Sequence, residues 1–105
     1  MPESLETIAK DVLATFYGIP DPTIIPIGYG LINWLAHVDA GHRRYVLKRY
    51  NPFYFRPDLV ELSVAAQHHC YVHGVPVPAL ILNRTGELIT WAPDASYVLF
   101  KYVDG

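Results

Sequence analysis

From Ile27 to Tyr50 the chain reads IGYGLINWLAHVDAGHRRYVLKRY, and over most of that stretch apolar side chains recur at every second position. Alternation of this kind marks half-buried strands, because successive side chains on a strand point to opposite faces. Trp34, Ala36 and Val38 alternate with Leu35 and His37, Arg43 to Tyr50 alternates again, and Asp39-Ala40-Gly41-His42 forms the turn between. Gly28-Tyr29-Gly30 breaks the pattern before Asn33 and reads as an earlier turn. Three antiparallel strands in succession follow, and such a meander needs cover on at least one face. Period two also places Val46 and Lys48 on the same face of the third strand. The glycines leave backbone N–H groups open to close approach by an anion, and Lys48 offers that anion a positive charge. A phosphate grip is one reading of Gly28 and Gly30; a tight hairpin needing positive φ is the other.

The flanking segments fill in the architecture. Ser4 is placed to cap a helix over about Leu5 to Tyr17, with Leu5, Ile8, Val12 and Phe16 at helical spacing and Gly18 to end it. Pro20, Pro22 and Pro26 then predict an extended arm that becomes a short or edge strand over Thr23 to Ile27. Beyond the aromatic connector after Asn51, Asp58 opens a helix expected to reach about His73 before Gly74. A hairpin is expected next, one strand over Ala79 to Asn83 and its partner over Glu87 to Trp91, around the turn Arg84-Thr85-Gly86. Tyr97 to Val103 closes the chain as a strongly apolar strand. Without repeated βα units, the fold class is α+β: an antiparallel sheet of five to six strands with two main helices, in one domain spanning residues 1–105.

Composition narrows the function. With 51% apolar and 17% charged residues the chain has the means to build a core. A net charge of −2 provides no basic field to attract nucleic acid. No apolar run is long enough for a membrane span, and the acidic N-terminus does not resemble a secretion signal, so a cytoplasmic address is expected. Cys70 is alone, which rules out an internal disulfide, and reads as a small buried apolar residue.

The ordered series of motifs resembles the N-terminal lobe of the aminoglycoside phosphotransferase family, which includes choline kinase-like and homoserine kinase-like small-molecule kinases of the protein-kinase fold. It is carried by the Gly-x-Gly turn, the strand Tyr45-Val46-Leu47-Lys48, the helix ending in Gly74-Val75-Pro76-Val77-Pro78, the Thr85-Gly86-Glu87 turn and the closing Leu99-Phe100-Lys101-Tyr102-Val103-Asp104-Gly105. The resemblance implies a nucleotide partner, ATP or GTP, with the glycine loop over the β- and γ-phosphates and Lys48 on the α- and β-phosphates. Tyr29 would sit at the loop tip, facing solvent. It also implies Ile27, Leu35 and Val46 as the ceiling of the base slot, Phe100 as gatekeeper, and backbone groups of Lys101 and Val103 on the purine edge. Asn33 stands where protein kinases carry a third glycine, a departure that suits this family.

By the same resemblance the catalytic aspartate, the Mg²⁺ ligands and the acceptor pocket belong to a larger C-terminal lobe absent from these residues. No catalytic residue is therefore assigned, and the chain by itself is expected to be inactive. The alternative is a stand-alone lobe remnant that dimerises or binds a partner through its hinge-side surface.

Glu61 has two readings. It could pair with Lys48, as kinase helix glutamates do, or close a capping box with Asp58 on its own helix. Ser63 occupies the register in which the family's glutamate usually stands, and two residues rotate a helix by about 200°. His69 and His73 are four apart on one helix, but no third ligand is placed near them and His68 adds none, so no metal site is expected. Arg43 and Arg44 read as a solvated edge, and Trp34 and Trp91 as residues packed on the sheet.

Overall fold

The computed structural model describes residues 4–29 and 33–103. Helix α1, Leu5–Tyr17, starts where Ser4 Oγ accepts the Thr7 N–H at 3.2 Å and stops where Gly18 turns left-handed at φ 69°. Both ends are as expected, and each satisfies backbone groups that a helix terminus leaves unpaired. Ala9, Val12 and Leu13, spaced i, i+3, i+4, form its buried stripe.

Strands β1 (Thr23–Tyr29), β2 (Asn33–Ala40) and β3 (Arg43–Tyr50) form the meander, with Gly41 at φ 77° in the β2–β3 turn. Helix α2 follows over Pro57–Val72, and β4 (Leu80–Ile81), β5 (Thr90–Trp91) and β6 (Ser96–Lys101) complete a six-stranded sheet. The order is β1-β2-β3-β6-β4, with β5 also paired to β6, and every pairing is antiparallel. The α+β class and the strand count agree with the sequence reading.

The alternation seen in the sequence sorts residues onto two faces. Ile24, Trp34, Ala36, Val38, Leu47, Tyr97 and Leu99 pack with the α1 stripe in the larger cluster. Tyr50 and Val98 pack with Val60 and Val64 of α2 in the smaller one, flanked by Phe55, Leu80, Leu88, Ile89 and Phe100. Burial of a side chain such as Leu47, wholly inaccessible here, stabilises by about 1.5–3 kcal/mol.

Several expectations are corrected. Strand β1 is an edge strand as predicted but reaches Tyr29, because an edge tolerates Pro26 and the pairing absorbs a bulge between Pro26 and Gly28. The predicted hairpin of 79–83 with 87–91 does not form as a ladder; β4 and β5 each pair with β6 instead. The reason is Asn83, whose Oδ1 accepts from Thr85 N–H, Thr85 Oγ1 and Glu87 N–H at 3.0, 2.8 and 3.0 Å, curling the chain locally. Helix α2 begins at Pro57, a residue preorganised for the first helical position, with Arg56 as its N-cap. Asp58 therefore lies inside the helix and takes Arg56 Nη2 at 3.0 Å, so the Asp58/Glu61 capping box is not formed.

The closing strand ends at Lys101 rather than Val103. Trp34 is buried, whereas Trp91, on a two-residue strand, is 43% exposed. Cys70 is half-buried rather than in the core. Among the described residues no helix is long and apolar enough to cross a membrane.

Candidate functional site

The α2 face of the meander carries the residues singled out from the sequence. Strand β3 presents Arg44, Val46, Lys48 and Tyr50 to this face in turn, since the strand period is two. Pairing then fixes what stands beside each. One row across the sheet is Ile25, His37, Val46, Phe100 and Leu80; the next is Gly28, Leu35, Lys48 and Val98. Neighbouring strands lie about 4.8 Å apart, so each row is a continuous band of side chains. Val46 is buried, Leu35, Lys48 and Phe100 are half-buried, and Ile27, in the bulge, is 49% exposed.

The structure thus brings Leu35, Val46, Lys48 and Phe100 onto one surface, with Gly28 and Ile27 along its β1 margin. Tyr29 pairs with Trp34 at the end of β1, and Gly30 lies outside the described residues. At the other end, Lys101 gives its N–H to Ala79 O at 3.0 Å and Tyr102 gives its N–H to Arg44 O at 3.2 Å. This pairing carries the chain past the sheet to Val103, which is 64% exposed.

Glu61 does not join this group. Among the described residues the ion pairs are Arg49 with Asp94 and Arg56 with Asp58, so the Lys48–Glu61 pair, one of the two readings of Glu61, is not formed. Glu61 instead lines a hollow of about 340 Å³ with Glu87, Leu88 and Trp91. Ser63 is the α2 residue whose side chain reaches a polar group of β3, its Oγ 3.5 Å from the Tyr50 hydroxyl. The helical rotation between positions 61 and 63 accounts for the difference. The Lys48 ammonium lies over the Tyr50 ring, 4.7 Å from its centre.

Two features escaped the sequence reading. His37 stands directly opposite Val46 and meets the Tyr102 ring edge-on, with centroids 5.2 Å apart. With Ile25, Asp39, Arg44 and Tyr102 it lines a hollow of about 250 Å³ on the same face. The alternation in β2 already grouped His37 with Leu35, and that signal would have found it. The second is the environment of Asn33, which the sequence marked only as standing in place of a glycine: it pairs with Tyr50 across β2 and β3, and its Oδ1 is buried with no donor among the described residues. The His69 and His73 rings meet at a tilt of 47° with centroids 4.2 Å apart, and no group of three potential metal ligands occurs among the described residues.

An apolar band bordered by a lysine with no carboxylate paired to it among the described residues suits a ligand with a flat apolar part and an anionic tail. Known structures can be set beside this geometry. No protein-family model and no curated protein matches the chain. Solved structures do, among them the following two. Spectinomycin phosphotransferase APH(9)-Ia, in complex with ADP and spectinomycin, superposes at a TM-score of 0.70 with 16% identity, over 98% of this chain and 30% of that one. A microcompartment-associated aminopropanol kinase gives a TM-score of 0.78 with 21% identity, over 93% of this chain and 31% of that one. The fold is that of a kinase-like N-terminal lobe. The chain spans about a third of the length of these structures. Within the lobe, the band from Ile25 to Phe100 and the row of Lys48 form the face that α2 leaves partly open.

Proposed function

We propose that this lobe is the nucleotide-binding part of a small-molecule phosphotransferase. In this reading Ile27, Leu35 and Val46 lie over the base, Phe100 closes the back of the slot, and backbone groups of Lys101 and Val103 hold the purine edge. Gly28, Tyr29 and Gly30 cover the phosphates, and Lys48 contacts them. The observation that carries the reading is the placing of Lys48 beside Leu35 and Val46 on one face, with no carboxylate paired to it among the described residues. A buried apolar neighbour and an unneutralised ammonium fit the base and the polyphosphate of one ligand. The ADP complex of the spectinomycin phosphotransferase gives further support.

Phosphoryl transfer also needs an acceptor site, a base and Mg²⁺ ligands. None of the lobe's residues is assigned to those tasks, so the isolated chain binds nucleotide weakly and transfers nothing; the acceptor, a hydroxyl or amino-sugar compound, is chosen elsewhere. ATP and GTP both fit the backbone-based recognition proposed for the purine edge. The test is calorimetric titration of Mg²⁺-ATP, Mg²⁺-GTP and ADP into the 105-residue chain and its Lys48→Ala variant. Loss of a charge-assisted phosphate contact lowers affinity by at least about tenfold. Equal affinity in the two proteins refutes the placement of Lys48.

One observation favours a second reading, a partner-binding module. Ile25, Ile27 and Val103 are 57%, 49% and 64% exposed, and apolar surface of this kind favours association. Light scattering over a concentration series separates the two: a chain that stays monomeric at high concentration and binds nucleotide excludes self-association as its role.

A further inference from the structure

We propose that Tyr50 is the positioning residue for Lys48, holding the ammonium over its ring where kinases of this fold use a helix carboxylate. The inference deepens the nucleotide reading above and rests on it for the identity of the anion, though the contact itself does not.

The strand period sets the pair up, because residues two apart on β3 share a face. Lys48 Nζ lies 4.7 Å from the ring centre, within the range where a ring quadrupole attracts a cation. The ring is itself fixed. Tyr50 is 3% exposed, meets Phe55 edge-on with centroids 5.2 Å apart and planes at 80°, and has its hydroxyl 3.5 Å from Ser63 Oγ. A side chain so enclosed cannot follow the lysine about; the lysine must come to it. Of the two acids in α2, Asp58 is paired with Arg56 and Glu61 lines a hollow with Glu87 and Trp91 instead.

Replacing a carboxylate by a ring has an electrostatic consequence. A carboxylate orients a lysine and cancels much of its charge, whereas a ring orients it and leaves the full charge to face an incoming anion. The cost is a shallower well, since a ring quadrupole attracts a cation less strongly than a full negative charge does. Lys48 is therefore held loosely but remains fully available to a phosphate.

The experiment is NMR of the 105-residue chain with labelled lysine, combined with ADP titration, on wild type, Tyr50→Phe and Tyr50→Leu. The ε-methylene protons of Lys48 are expected upfield of those of Lys10 and Lys101 by the ring current, to stay there in Tyr50→Phe, and to return in Tyr50→Leu. ADP affinity should fall about three- to tenfold in Tyr50→Leu and be restored by the conservative Phe. Wild-type Lys48 protons at the position of the other lysines overturn the proposal, as does a folded Tyr50→Leu with unchanged ADP affinity. If Tyr50→Leu does not fold, the wild-type shift decides alone. A wild-type chain with the ring shift but no ADP binding refutes the nucleotide reading while confirming the contact.

Discussion

Tyr97 donates its phenolic hydrogen to Asp94 Oδ2 at 2.6 Å, and Arg49 Nε reaches the same oxygen at 3.2 Å. The three groups tie the β5–β6 loop to the centre of the sheet. Burial, reinforced by the neighbouring carboxylate, pushes the Tyr97 phenol above its ordinary value of 10.0. Burial also raises Tyr17, against a hydrogen bond from Thr90 that lowers it. An acid whose folded value is raised keeps its proton in the native state while the unfolded chain loses it. Stability from this source is complete below the ordinary tyrosine value and declines as pH climbs above it. Thermal unfolding followed by circular dichroism from neutral to strongly alkaline pH should show that decline. Tyr97→Phe should make it shallower and lower neutral-pH stability by about 1–2 kcal/mol.

Asn83 is buried, and its amide gathers four residues. Besides the three bonds accepted by Oδ1, Nδ2 donates to Thr90 Oγ1 at 3.1 Å and to Ile89 O at 3.4 Å. Asn83→Ala leaves several of these groups unsatisfied and is expected to cost about 2–4 kcal/mol in urea unfolding. A cost below the usual range for a surface substitution would mean that the loop holds its shape by backbone bonds alone.

Gly18 ends α1 at φ 69°, and a Cβ there would meet Arg84 Cδ at an ordinary 3.9 Å. Space is therefore not the constraint; backbone conformation is. Gly18→Ala should destabilise by about 1 kcal/mol, and Gly18→Asn by less, as measured by the denaturation midpoint.

Glu61 supplies a contrast to Lys48. Because it is exposed and faces Glu87, Glu61→Gln should change ADP affinity by less than about twofold, as expected for an unpaired surface charge. A tenfold loss in calorimetry would place its carboxylate in the site after all.

The parts of this lobe that were legible in the sequence are those dictated by local chemistry. Ser4 and Gly18 marked the ends of α1 because caps act within a few residues, and the alternation around Val46 and Lys48 fixed their shared face because side-chain period is a property of the strand itself. Less visible was anything depending on choice of partner. Residues 87–91 have the pattern of a hairpin arm, yet the side chain of Asn83 diverts their bonds and β6 takes up the pairing. Likewise, Asp58 and Glu61 have the spacing of a capping box, but Pro57 takes the first helical position and moves the N-cap two residues back, from Asp58 to Arg56. His37 was within reach of the same alternation that found Leu35; only its meeting with Tyr102, through a chain crossing at the far end of β6, required the fold.

Strand β1 reaches the edge of the sheet with Pro26 and a bulge, and the opposite edge, β4, is two residues long. Pro26 and the bulge interrupt the row of backbone groups along the free edge of β1, and β4 is too short to template a long partner strand. Strand addition at these two edges is thereby disfavoured, and with it the ribbon-like growth that leads to fibrils, so side-chain contact between surfaces is the easier route to assembly.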